Sequence, residues 1–195
     1  TTVSDEQYEY ATERVRRAGL ADRVAVLKDD YRDLSGRYDK LASIEMIEAV
    51  DWRDYETFFA TCRRLLHPGG ILGMQAIVIE PQRFDRAKTT QDFIKKFIFP
   101  GGCLPSIDAL LNAATRSCDL SLTSLHVYGV HYAETLRRWR AAFNNRRDRL
   151  PARGLDESFA RMWDFYLAYC EAAFDERSVS VVQLTLAGPS WRPRC

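Results

Sequence analysis

The stretch DWRDYETFFATCRRLLHPGGILGMQAIVI, residues 51–79, decides the fold. Tyr55, Phe58, Phe59, Cys62, Leu65 and Leu66 recur at helical spacing, so Asp51 to Leu66 reads as a helix with one apolar face. His67-Pro68-Gly69-Gly70 stops it. Ile71 to Ile79 is then a near-continuous apolar run, the pattern of a strand covered on both sides of its sheet. Upstream, Val24 to Leu27 and Tyr38 to Ile44 read as further strands, and Val179 to Leu186 as a closing one. Strands alternating with helices predict an α/β fold whose parallel sheet is built by right-handed crossovers.

The first helix opens at Ser4, where Ser4-x-x-Gln7 fits a capping box, and runs to about Gly19. After Glu80, helices are expected over Phe84 to Phe97, Ser106 to Ser117, Tyr132 to Arg149 and Asp156 to Phe174. Leu120 to Tyr128 reads as a strand, and a frayed tail ends at Cys195. These form helical insertions between the last strands.

Composition excludes several function classes. The net charge of +1 gives no bulk reason to expect nucleic acid. No apolar run approaches the ~20 residues that span a bilayer. No secretory leader is visible either, so a cytoplasmic protein is expected. The five cysteines have no CxxC spacing, which fits free thiols in a reducing compartment. Three scattered histidines do not make a structural zinc site.

Three segments occur in a fixed order: SIEMIEAV (43–50), FIFPGGCLP (97–105) and YGVHYAETL (128–136). With MWDFYL (162–167), they resemble the catalytic half of the cyclopropane-fatty-acyl-phospholipid synthases, a family similar to the mycolic acid cyclopropane synthases. The resemblance implies a class I S-adenosylmethionine-dependent methyltransferase, Rossmann-like in its sheet. It also implies transfer of a methyl group to the double bond of an unsaturated phospholipid acyl chain. The family's Gly-x-Gly-x-x-Gly turn is not present, since Gly69, Gly70 and Gly73 have the wrong spacing and follow a helix. Residues 1–195 therefore read as a single domain, the C-terminal portion of such a methyltransferase.

Residue by residue, the resemblance assigns Thr2, Gln7, Tyr31, Arg32 and Ile44 to S-adenosylmethionine. Thr2 and Gln7 would hydrogen-bond it, Tyr31 and Arg32 would line the adenine pocket, and Ile44 lies near its methionine end. Methyl transfer to an alkene leaves a carbocation, and closing a cyclopropane ring then needs a base. The resemblance implies a bound bicarbonate as that base. Glu48 would anchor it, Tyr132 would hydrogen-bond it and the Ile77 N–H would face it. Where many members have His-Thr-Ile, this sequence has Gln75-Ala76-Ile77. A glutamine can donate to an anion but cannot take up a proton. A methyltransferase that leaves a methyl or methylene branch is thus one alternative, and an inactive lipid-binding fragment is another. Taken alone, Glu48 reads as a solvated loop carboxylate, Tyr132 as a packing anchor, and Thr2 and Gln7 as helix-capping groups. Gln75 is less ordinary, because a buried amide must find partners.

Phe93, Phe97, Phe99, Trp139, Phe143, Trp163 and Tyr166 read as core aromatics or as the wall of an acyl tunnel. Arg137 to Arg153 holds seven arginines against one acid, Asp148. That excess is either a solvated helix face or an attraction to anionic headgroups, so peripheral membrane contact is expected. The oligomeric state is left open by the sequence, a homodimer being one assembly compatible with it.

Overall fold

The computed structural model describes residues 1–193; Cys195, where the expected tail ends, lies outside them. The sheet has four strands: β1 (Tyr38–Ile44), β2 (Leu66–Ile79), β3 (Ser121–Val127) and β4 (Val179–Ala187), in the order β1-β2-β4-β3. Only β1 and β2 pair in parallel; β4 runs antiparallel to both its neighbours. The sheet is therefore mixed where an all-parallel one was expected. The cause is the long helical excursion before β4, which returns the chain from the opposite end of the sheet.

Alternation along β2 serves two cores. Leu66, Leu72, Met74, Ala76 and Val78 face one layer, formed by α2 (Tyr55–Leu65) and α4 (Ile107–Ser117), with Phe58, Phe59 and Leu110 buried among them. On the other face, Ile77 and Val181 pack against α5 (Gly129–Asn144) and α6 (Glu157–Asp175) through Leu136, Leu167 and Phe174. Burial of these side chains from both sides is what fixes the register of β2.

His67-Pro68-Gly69-Gly70 ends α2 but also forms a bulge inside β2. Tyr38 pairs with Leu66 and Lys40 with Ile71, so Asp39 alone faces the inserted residues. A Cβ on Gly70 would lie 2.9 Å from Leu66 and 3.1 Å from the Asp39 carbonyl oxygen, which explains a glycine there.

The N-terminal helix α1 (Asp5–Arg17) is capped as expected, with Ser4 Oγ accepting from the Gln7 N–H at 3.3 Å. Gly19 follows it with φ +65°, a left-handed stop. Val24 to Leu27 has no regular secondary structure and joins no ladder, against expectation. Its backbone bonds are local or to the N-terminus: the Val24 N–H donates to Leu20 O at 2.9 Å and Leu27 O accepts from the Thr2 N–H at 3.0 Å, and Val24 and Leu27 remain exposed. A strand exists only beside another, and no described strand lies next to this one.

The expected helix over Phe84 to Phe97 is instead α3 (Pro81–Ala87) and a π-helical turn at Ile94–Ile98. Thr89 and Thr90 direct their hydroxyls back to the Arg86 carbonyl, which ends α3. The expected helix to Arg149 stops at Asn144, with short 3₁₀ turns beyond.

Candidate active site at the carboxyl ends of β1 and β2

Ligands of open α/β sheets lie beyond the carboxyl ends of the strands. β1 stops at Ile44, opposite Gln75, while β2 continues to Ile79. Past that point the edge of β2 has lost its neighbour. The Gln75 carbonyl accepts from the Glu45 N–H at 2.9 Å. The next donor on the same edge, the Ile77 N–H, meets the Glu48 carboxylate at 2.5 Å. Glu48 sits on a 3₁₀ turn, Ile47–Ala49, anchored by buried Ile47 and by the Cys103 N–H donating to Glu48 O at 2.8 Å. The FIFPGGCLP segment thus buttresses the carboxylate loop. Cys103 itself is buried, and burial pushes its thiol up, as befits a packing residue.

Tyr132 arrives from the first turn of α5. Its ring stacks on Phe174 at 4.7 Å and meets Trp139 edge-on at 6.2 Å. The helix can sit this close to β4 because Gly129 has no side chain; a Cβ there would fall 2.4 Å from Ser180 Oγ. The Tyr132 hydroxyl donates to Glu45 Oε2 at 2.9 Å, and Gln75 Nε2 donates to Glu45 Oε1 at 2.7 Å. Gln183 Nε2 in turn donates to Gln75 Oε1 at 2.8 Å, which fixes the orientation of the Gln75 amide.

The four expected catalytic groups, Glu48, Gln75, Ile77 and Tyr132, therefore meet. The group that joins them, Glu45, was missed by sequence reasoning. Glu45 adopts φ 50°, one of two non-glycine residues in the left-handed region among those described. The signal that could have found it was Gln75, a polar amide in an apolar strand that required a partner.

Burial raises the pKa of Glu48, the Ile77 N–H opposes that, and nearby Glu45 adds to it. Its second oxygen, like Ser43 Oγ, is buried without a hydrogen-bond partner. Tyr132 is held strongly protonated, first by burial and then by the adjoining Glu45. Tyr166 is pushed up to about 12, again chiefly by burial. An aromatic wall continues outward from Tyr132: Tyr166 touches Trp163 at 5.0 Å and Phe99 at 6.1 Å, and Phe93 meets Phe165 at 4.8 Å. Phe97, Phe99 and Trp139 are exposed at its rim.

The expected cofactor residues form a second group. Thr2 Oγ1 hydrogen-bonds Gln7 Oε1 at 2.7 Å at the start of α1, and the chain there is tied to the 27–29 segment. Tyr31 packs against Phe58 at 5.7 Å, and Arg32 forks onto Asp30 at 2.8–2.9 Å. Ile44 is 62% exposed at the end of β1, directly before Glu45.

The donors that the resemblance assigned to bicarbonate are all engaged. Glu48 takes the Ile77 N–H, and Glu45 takes both Tyr132 and Gln75. A third anion beside two carboxylates, with no arginine or lysine among the described residues bonded to either of them, does not fit this arrangement.

Residues 1–184 match the family model described as mycolic acid cyclopropane synthetase. The chain belongs to that family. Among its relatives is the tuberculostearic acid methyltransferase UfaA1 of Mycobacterium tuberculosis, 45% identical over 95% of this chain and 43% of the relative. The cyclopropane-fatty-acyl-phospholipid synthase of Escherichia coli is 33% identical over 95% of this chain and 46% of its own length. Of solved structures, the mycolic acid cyclopropane synthase CmaA1 complexed with SAH and CTAB superposes with a TM-score of 0.83 at 26% identity. That match covers 95% of this chain and 68% of the CmaA1 chain. This family member spans less than half the length of those two curated relatives. Its fold is that of the S-adenosylmethionine-dependent methyltransferases.

Proposed function

We propose that this protein transfers a methyl group from S-adenosylmethionine to the double bond of an unsaturated fatty acyl chain and leaves a methyl or methylene branch. The observation that carries the reading is a pair of carboxylates, Glu45 and Glu48, set against an aromatic wall at the strand ends. An alkene is a weak nucleophile, so catalysis is first a matter of alignment. When bound, S-adenosylmethionine supplies a methyl already activated on a sulfonium. Thr2, Gln7, Tyr31, Arg32 and Ile44 are the residues that would hold it. Methylation places a positive charge on the acyl chain. Aromatic faces at Tyr132 and Tyr166, with fixed negative charge beside them, stabilise such a cation without supplying water to capture it.

Two points favour a branch over a ring. The relative at 45% identity is named for methylation of a fatty acid, and Gln75 cannot relay a proton. A phospholipid-borne chain as substrate is supported by the exposed aromatics Phe97 and Phe99. Of the arginines after Leu136, Arg137, Arg138, Arg140 and Arg147 are ion-paired to helix acids. Arg146, Arg149 and Arg153 are exposed and would be the ones to meet anionic headgroups at a membrane surface. The test is incubation with methyl-labelled S-adenosylmethionine and monounsaturated phospholipid vesicles, followed by proton NMR of the released fatty acids. Vinylic methylene or methyl-branch signals are expected. Upfield cyclopropane hydrogens would restore ring formation, and no label in lipid would remove the reading altogether.

A further inference from the structure

We propose that Glu45 is the proton acceptor of this reaction, its own side chain standing where a bicarbonate would otherwise sit. The inference rests on the acyl-methylation reading above. Its basis is the convergence of three elements on one carboxylate. Tyr132 from α5 donates to Oε2, Gln75 from β2 donates to Oε1, and the backbone of Glu45 closes the end of β1 onto the Gln75 carbonyl. The Gln183 amide holds Gln75 with its NH₂ toward Glu45, so the carboxylate is gripped from two sides by groups that cannot themselves accept a proton.

The backbone supports a dedicated role. A left-handed conformation at a residue other than glycine is unfavourable and persists only where its surroundings impose it. At φ 50°, Glu45 turns back over the end of its own strand instead of continuing outward. Glu48 is less suited to the task, because its remaining oxygen is enclosed and without a partner. Glu45 is only partly buried, so a proton gained there has a route to solvent and the carboxylate can reset.

The step balances without a further reactant. The methylated chain carries one positive charge. A hydride moves to the cationic carbon from its neighbour, the carbon that received the methyl, and so places the charge at the branch point. A C–H bond of the new methyl then breaks. Its electron pair forms the carbon–carbon double bond of a methylene group, and the proton goes to Glu45, which becomes a neutral acid.

The experiment compares wild type, Glu45→Gln and Glu45→Gly, in the chain with whatever coding sequence precedes Thr1. Turnover is measured on dioleoyl phosphatidylglycerol vesicles in carbon-dioxide-free buffer and again with added bicarbonate. In parallel, ¹³C-bicarbonate binding is followed by NMR line broadening, and S-adenosylmethionine binding by calorimetry. Wild type is expected to turn over at the same rate with or without bicarbonate. Glu45→Gln should lose about 100-fold or more in rate while binding S-adenosylmethionine as before. Glu45→Gly, which opens the space between Tyr132 and Gln75, should bind ¹³C-bicarbonate and regain activity when it is added. A residue that only braces the fold would not be rescued by an anion. Wild-type activity that vanishes without bicarbonate, or a Glu45→Gln variant of full rate, overturns the proposal. If no variant methylates lipid, the acyl-methylation reading has failed, and the NMR arm still decides the placement of Glu45. Wild type broadening the bicarbonate signal as strongly as Glu45→Gly would then refute it.

Discussion

Replacing Glu45 by glycine and, separately, by alanine isolates the cost of its backbone conformation. Both variants lose the same carboxylate, so the bonds from Tyr132 and Gln75 cancel in the comparison. What differs is φ 50°, which glycine adopts freely and alanine does not. The left-handed region costs an L-residue about 1–2 kcal/mol. Against that, glycine gives the unfolded chain extra freedom worth about 0.4–1 kcal/mol. The glycine variant should therefore be more stable than the alanine variant by about 1 kcal/mol. For a chain of 195 residues this corresponds to about 2–4 °C in melting temperature. Urea unfolding followed by tryptophan fluorescence measures the difference, with equal m-values as the check that only stability has changed. An alanine variant equal to or more stable than the glycine variant would show that position 45 is not strained. The fold would then not be imposing this conformation on the acid.

Other substitutions probe the rest of the site. Tyr132→Phe removes the donor to Glu45 Oε2 and should cost about 1–3 kcal/mol of stability in the same urea assay, with the α5 packing intact. Glu48 carries a raised pKa in the folded protein, so at a pH between the unfolded and folded values its native form holds a proton that the unfolded chain releases. Its contribution to stability is present below the ordinary carboxylate value of 4.5 and is lost as pH rises through the folded value. Glu48→Gln should accordingly gain on wild type as pH is raised through that window and converge with it at lower pH; a gap that widens on acidification would contradict the sign. Gly129→Ala places a methyl 2.4 Å from Ser180 Oγ and 3.2 Å from its Cα, so α5 must shift. A loss of about 1–3 kcal/mol is expected by thermal unfolding, and a neutral result would mean that α5 has slack against β4.

Much of the architecture was legible because periodicity reports burial. The spacing of Tyr55, Phe58, Phe59 and Cys62 gave α2, and the run Ile71 to Ile79 gave the central strand. Val24 to Leu27 misled for the same reason. An apolar run records a tendency to pair, while pairing itself depends on a neighbour the run does not encode. The break between Ala87 and Ile94 was also hidden, since neither the capping threonines nor a π-helical turn disturbs the apolar pattern. In the site, the family motif pointed to Glu48, Ile77 and Tyr132, which lie together in the structure. It did not deliver Glu45, because a left-handed glutamate leaves no compositional trace. Only the demand of Gln75 for a partner pointed there, and that demand names no residue.

The outer edge of β1 carries a practical consequence. As the first strand of the sheet it turns a row of N–H and C=O groups away from β2, with Tyr38 and Ile44 uncovered at either end. Such an edge is a template for strand addition, and two copies of the chain can use each other to complete it. Asp39 and Lys40 are the only charges set along it to discourage that. Concentrated preparations of residues 1–195 should therefore be handled as a system prone to intermolecular β-pairing, with those two positions governing how readily it begins.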